Sequence, residues 1–462
     1  MVNYYKDLEE IFLAGVKSVD PYLLIKRHMR VENEILTIEI PGNRYSVNLA
    51  IFKNVFVFGA GKAAAPMARA IEEVLGNRID DGIIAVKKGY TTDLEKIKII
   101  EAGHPVPDLE SIRAAEMIIE LSGQANKETL ILGLISGGGS SLLAHPFEIK
   151  NSHLSLKLTL EELKETTSLL LASGANINEM NCIRKHLSSI KGGRLARLMH
   201  PATQINMILS DVPGDRLDTI ASGLTTWDET TYEDAIAILK KYSIDKKVPE
   251  ATQRILEAGK RGLIPETPKK NDPAFLKVKN LIIGTNYTAL LGAAEKAREL
   301  GYNTTTLSSW ITGEARVVSK VLAGIAKDAS RYELLVKKPS CIIGGGETTV
   351  TLSGDGKGGR NQELALSFLL ELETFNETSR EDSREKGIYM LSASTDGSDG
   401  PTDAAGAMVS GKILKKSREL RLDPEAYLRR NDSYTFFERA GGLFKTGPTN
   451  TNVCDIQIII VV

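Results

Sequence analysis

The stretch NVFVFGAGKAAAPMARAIEEVL, residues 54–75, decides the fold. After Asn54 its next four residues, Val55 to Phe58, are apolar and partly β-branched, as in a strand buried on both faces, and its last twelve place apolar residues at helical spacing. Between them GAG leaves room only for a tight turn. A strand that runs through such a turn straight into a helix is half of a βαβ unit. The pattern then repeats outward: GIIAVKKG (82–89), SIRAAEMIIELS (111–122) and TLILGLISGGGSS (129–141) read as strand, helix and strand. This βαβαβ run predicts a parallel sheet wound right-handedly, with ligand-binding loops at the C-terminal ends of its strands. Two amphipathic helices follow, in 158–174 and 177–199, and then the strand and polar loop TQINMILSDVPGD (203–215). A second series begins with LIIGT (281–285) and ALLGAAEKAREL (289–300) and continues through CIIGGGETTVTL (341–352), NQELALSFLLEL (361–372) and YMLSAST (389–395). The segment 243–275 carries four prolines and dense charge. The expectation is therefore an α/β protein of two domains, a Rossmann-like parallel-sheet domain over 1–242 and a second α/β domain over 276–462, joined by a 243–275 linker.

The bulk composition narrows the partners. Over 462 residues, 58 Lys and Arg balance 59 Asp and Glu for a formal charge of −1, so no basic excess is available to neutralise a nucleic-acid backbone or an anionic membrane. The apolar runs are strand-sized, far short of the roughly 20 residues of a membrane helix. The opening residues mix acids into a helical pattern, unlike a secretory leader. Three widely spaced cysteines, Cys182, Cys341 and Cys454, suit a reducing compartment. The six histidines lack the spacing of a zinc site. These features lead to the expectation of a cytoplasmic protein acting on a small molecule, with no nucleic-acid or membrane partner; a homodimer is left open.

Six loops, besides the AGHPVPD turn, could carry chemistry. In FGAGKAAAP, Gly59, Gly61 and Ala64 have the spacing of a dinucleotide turn at a helix mouth, and Lys62 puts a cation inside it. The following strand ends in Lys87 and Lys88 where NAD binders carry an acid, which leaves an NADP reading open. A second glycine loop, Gly137, Gly138, Gly139, Ser140 and Ser141, offers amides and hydroxyls to phosphate oxygens. AGHPVPD holds His104 in a turn, with no proton-transfer role assigned. LSDVPGD supplies Asp211 and Asp215, and STDGSDGPTDAAG supplies Asp396, Asp399 and Asp403; Asp211 and Asp396 are the candidate metal ligands, since magnesium is held by one or two carboxylates plus phosphates. GGGETTV contributes Gly345 and Glu347, and GDGKGGRNQE leads Arg360, a planar forked donor, into a helix.

Taken in order, GAGKAAAPMA, GHPVPD, SGGGSSLL, LSDVPGD, GGGETTV, GGRNQE, STDGSDGPTDAAG and GPTNTNV resemble the glycerate 2-kinases, whose C-terminal domain is called MOFRL. The resemblance covers about residues 5–460. It implies an N-terminal Rossmann-like domain, a C-terminal mixed-sheet MOFRL-type domain, and an active site in the cleft between them. It further implies that ATP and a divalent cation such as Mg2+ serve to phosphorylate D-glycerate to 2-phosphoglycerate. The lysine and arginine implicated in catalysis would be Lys62 and Arg360, and the nucleotide-phosphate role would fall on Gly137 to Ser141. The competing reading is an NADP-dependent hydroxypyruvate reductase, which accounts for the GxGxxA turn but leaves the SGGGSS, GGGETT and GGRNQE loops without a use.

Overall fold

A computed structural model of the chain describes residues 3–150, 154–378 and 387–462. The chain divides into two compact units. The first comprises Pro21–Ser210 and Asp215–Ile283; the second comprises the chain up to Asp20, the short insert Asp211–Gly214, and Gly284–Val462.

The first unit is built on a six-stranded sheet in the spatial order Val278–Gly284, Thr203–Leu209, Thr129–Ile135, Asn54–Ala60, Asp81–Lys87, Ile97–Ala102. From Thr203–Leu209 to Ile97–Ala102 every neighbouring pair is parallel. Numbered along the chain, the order is 6-5-4-1-2-3, that of a doubly wound fold. Strand order reverses between Asn54–Ala60 and Thr129–Ile135, and such a reversal opens a crevice at the strands' C-terminal ends. Those two strands feed the GAGK turn and the SGGGSS loop. Thr129–Ile135 is buried at all seven positions, as a central strand covered on both faces must be. The strand Ile97–Ala102 has no counterpart in the sequence reading. It is an edge strand whose polar residues face water, so its apolar pattern is weak. A separate, helical core of this unit joins Leu170, Ile183, Tyr232, Leu239 and Ile255.

In the second unit a mixed seven-stranded sheet runs Asn303–Thr306, Ser340–Thr349, Asp455–Val461, Ile388–Ser394, Gly406–Ser410, Leu443–Phe444, with Ile311–Glu314 also on Ser340–Thr349. Asp455–Val461 lies centrally and antiparallel to both neighbours, opposite Gly346 and Ser394 at its Asp455 end. Its alternate residues Ile459 and Val461 join the core formed with the helices Ala315–Tyr332 and Arg360–Thr378. Ile456 points the other way and approaches Gly15 of the N-terminal helix.

The observed division differs from the sequence boundaries 1–242, 243–275 and 276–462. The helix Tyr4–Ser18 belongs with the second unit because its buried stripe of Leu8, Ile11, Phe12 and Gly15 packs on the helix Asn286–Glu299. An amphipathic stripe records that a helix is covered, not by what. The stretch 243–275 is no linker: its helix Glu250–Lys260 buries Ile255 and Leu256 in the first unit's helical core, and Gly259 lies against the Tyr232 ring. Prolines and charges there mark a surface rather than a boundary.

Candidate active site

In the first unit the two glycine loops close on each other. Gly61 adopts φ +140°, and a Cβ there would lie 2.0 Å from Ser136 Oγ, so only glycine fits. The Lys62 amide donates to the Gly137 carbonyl at 2.9 Å and the Ala63 amide to Ser136 Oγ at 3.0 Å, while Ser136 N–H returns a bond to the Ala60 carbonyl at 3.0 Å. Of the amides at the mouth of helix Ala64–Leu75, expected as an anion site through Gly59 and Gly61, those of Lys62 and Ala63 hold the second loop. Lys62 itself is buried, with 8% of its surface exposed. Lys87 lies over the Tyr90 ring at 5.2 Å and Lys88 pairs with Asp108 at 3.2 Å, so both lysines that an NADP reading would use have other partners.

The SGGGSS loop faces a cavity of about 460 Å³ lined by Gly138, Ser140 and Ser141 together with His104, Arg184 and Lys191. Gly138, at φ +84°, brings its backbone against the His104 ring, where a Cβ would come within 2.9 Å of Nε2. Ser140 Oγ shares a 2.8 Å hydrogen bond with Ser222 Oγ, which donates to Asn181 Oδ1 at 3.0 Å. Ala221 and Ser222 both hold positive φ, 49° and 55°, in the left-handed region that non-glycine residues seldom occupy. Such conformations concentrate where a site must be held in one shape. Lys191 donates to the carbonyls of Ser140 at 2.6 Å and Leu143 at 3.3 Å. Burial, aided by the neighbouring Arg184 guanidinium, brings its ammonium down to about 7.

In the second unit the remaining motifs collect at one end of the mixed sheet. Arg360 begins its helix and donates through Nε and Nη2 to the two carboxylate oxygens of buried Asp455, at 2.6 and 2.9 Å, while Nη1 meets Glu347 at 3.0 Å. Both acids belong to the same unit as Arg360. Burial opposes the guanidinium's charge, but Asp455 and Glu347 outweigh it and hold its pKa above the usual arginine value. Gly345 lies beside Asn286, which donates to the carbonyls of Val453 and Asp455. Asp396 Oδ1 accepts from Ser394 Oγ and the Ser398 amide, both at 2.9 Å. Asp211 reaches the same patch: Cys454 Sγ donates to its carbonyl at 2.8 Å, and the Cys454 carbonyl accepts from Thr395 Oγ1 at 2.6 Å. Cys454 is held at φ +68°. Burial pushes its thiol up, and the carboxylates of Glu347, Asp211 and Asp455 push it further, which locates three acids around one residue.

Asp399 has a structural task. Its oxygens accept from the amides of Asn361 at 3.1 Å and Gln362 at 2.9 Å, capping the Arg360 helix from a distant loop. Burial drives its carboxyl up to about 6 despite those amides. Asp399→Ala is expected to cost about 2–3 kcal/mol, read as a lower midpoint in urea, because a cap is lost and two buried amides are orphaned.

Comparison with known proteins is consistent with this arrangement. Residues 7–257 match a family described as a domain of unknown function (DUF4147), and residues 340–455 match the MOFRL family. A glycerate 2-kinase of Pyrococcus horikoshii is 40% identical over 460 residues, covering 98% of each chain. The chain belongs to the glycerate kinase family. A D-glycerate 2-kinase of Thermotoga maritima is 41% identical, over 88% of this chain and 91% of that one. The crystal structure of a Thermotoga maritima glycerate kinase superposes with a TM-score of 0.80 at 38% identity, over 99% of both chains.

Within this glycerate kinase fold, Gly59, Gly61, Lys62 and Gly137 to Ser141 come together in the first unit, and Gly345, Glu347, Arg360, Asp211 and Asp396 come together in the second. Arg184, Lys191, Ser222 and Asp455 escaped the sequence reading. The signal for the first two was RKHLSSIKGGR (184–194), five basic or histidine side chains without an acid, which helical periodicity alone assigns to a surface. Among the described residues no three His, Cys, Asp or Glu side chains form a ready metal cage. Magnesium carried on a nucleotide needs only one or two protein oxygens, and the hard donors Asp211 and Asp396 suit that mode.

Proposed function

We propose that this chain transfers the γ-phosphoryl group of ATP to D-glycerate at its 2-hydroxyl. The observation that carries the reading is the locking of the GAGK turn onto the SGGGSS loop at the switch point of the doubly wound sheet, which sets Lys62 beside a glycine loop that faces a cation-lined cavity. Phosphoryl transfer is catalysed mainly by positioning and by charge stabilisation. Gly137 to Ser141 would receive phosphate oxygens, Lys62 would neutralise charge developing on the transferred group, and Arg360 would be the second cation. Asp211 and Asp396 would hold the magnesium, whose contribution when bound is to screen the phosphate charges.

The reductase reading is weaker on geometry, since the Lys62 and Ala63 amides, Lys87 and Lys88 have other partners. A relative from Agrobacterium vitis, 40% identical over 98% of this chain, nevertheless bears a provisional hydroxypyruvate reductase name. Two assays run side by side separate the readings. ADP release with D-glycerate, ATP and magnesium is expected to be rapid, and NADPH oxidation with hydroxypyruvate to be absent; the opposite pair of results overturns the proposal.

A further inference from the structure

The turn IASG (220–223) packs on the SGGGSS loop in a conformation that its residue types disfavour. Ala221, Ser222 and Gly223 are all left-handed, at φ 49°, 55° and 66°, so Ser222 stands where glycine would cost least. The strain persists because the Ser222 backbone is clasped at both ends: its amide donates to the Thr219 carbonyl at 2.9 Å, and its carbonyl accepts from the Gly192 amide at 3.1 Å. What serine has over glycine is a hydroxyl. That hydroxyl bonds to Asn181 Oδ1 at 3.0 Å and to Ser140 Oγ at 2.8 Å, and with Ser222 and Asn181 only 1% and 4% exposed the bonds are sheltered from solvent. A hydroxyl carries one hydrogen. Ser222 gives its own to Asn181, so the hydrogen between the two serines comes from Ser140. Ser141 Oγ likewise donates to the Gly138 carbonyl, at 3.1 Å. Both loop hydroxyls that line the cavity therefore turn their hydrogens into the protein and face a ligand as acceptors. Asn181 rides on the helix Ile177–His186, which buried pairs hold in place: Lys185 with Asp228 at 3.3 Å and His186 Nε2 with Glu266 at 2.9 Å. With Lys191 on its carbonyl at 2.6 Å, Ser140 is fixed at both carbonyl and hydroxyl.

We propose that Ser222 and Asn181 are positioning residues for the phosphoryl transfer, acting through Ser140: their relay sets the direction of its hydroxyl and, with Lys191, the course of the loop along the cavity. The role rests on the kinase reading and adds to it two side chains one step removed from the ligand. Without the relay the Ser140 hydroxyl is free to rotate, and a small misplacement of a positioning group costs on the order of a hundredfold in rate.

The experiment compares kcat, the KM for ATP and for D-glycerate, and the melting temperature of the full chain with those of Ser222→Gly, Asn181→Ala and Asn181→Asp. Ser222→Gly is expected to lower kcat by about tenfold to a hundredfold with both KM values little changed. Its melting temperature should stay near the wild type, because glycine relieves the left-handed strain and offsets the lost hydrogen bond. Asn181→Ala should lose a similar factor in kcat, and Asn181→Asp, which keeps an oxygen acceptor for Ser222, should recover most of it. A Ser222→Gly variant that keeps its kcat, or loses it only together with its melting temperature, overturns the positioning role while the kinase reading stands. So does a folded Asn181→Asp as slow as Asn181→Ala; if Asn181→Asp does not fold, Ser222→Gly decides alone. A wild type that releases no ADP from ATP and D-glycerate overturns the kinase reading, and the positioning role with it.

Discussion

Lys62→Ala is expected to lower turnover by about a hundredfold to a thousandfold while the fold survives. The backbone of residue 62 holds the Gly137 carbonyl, and alanine keeps that bond. What is lost is the ammonium. Charge stabilisers of this kind act on the transition state more than on the bound substrate, so kcat and kcat/KM should fall together with KM little moved. The check is steady-state kinetics on a variant whose melting temperature matches the wild type. Near-normal kcat in such a variant would make Lys62 a buried structural lysine.

Arg360→Lys is expected to be at least as severe in rate, roughly a thousandfold by analogy with arginines that stabilise transferring phosphoryl groups. It should also destabilise. Lysine cannot span both oxygens of Asp455, which has no exposure of its own, and about 2–3 kcal/mol is the expected cost, discounted because Arg360 is partly open to solvent. Asp455→Asn separates the two effects. It weakens the same pair from the other side, yet leaves the guanidinium in place. If Arg360 acts on the reaction, Asp455→Asn should retain far more turnover than Arg360→Lys at a similar melting temperature. Equal losses in the two variants would mean that the pair serves only to hold the C-terminal strand to the arginine helix.

The fold class was legible because its signals are local. Strands followed at once by glycine turns and helices, as in residues 54–75 and 129–142, encode a doubly wound sheet, and Gly61 marks the one backbone conformation that the loop contact requires. Lys62 and Arg360 stand out for the same reason, as cations in glycine-rich turns. What remained hidden depends on distant partners. Asp455 looks like the polar start of the strand DIQIIIV, and nothing near it announces that Arg360, 95 residues earlier, will take both its oxygens. Asp399 looks like a metal or turn acid, but becomes a helix cap only once its loop meets the start of Arg360–Thr378. Arg184 and Lys191 share a helical region with buried, paired cations, and only the cavity distinguishes them. The placement of Tyr4–Ser18 and of 243–275 was missed because composition reports exposure and not topology.

The most direct test of the account is 31P NMR of the wild-type protein with ATP, magnesium and D-glycerate. The account predicts that the γ-phosphate signal is replaced stoichiometrically by that of 2-phosphoglycerate, with ADP as the other product. A spectrum in which ATP is unchanged, or in which its phosphate appears only as inorganic phosphate, would contradict it.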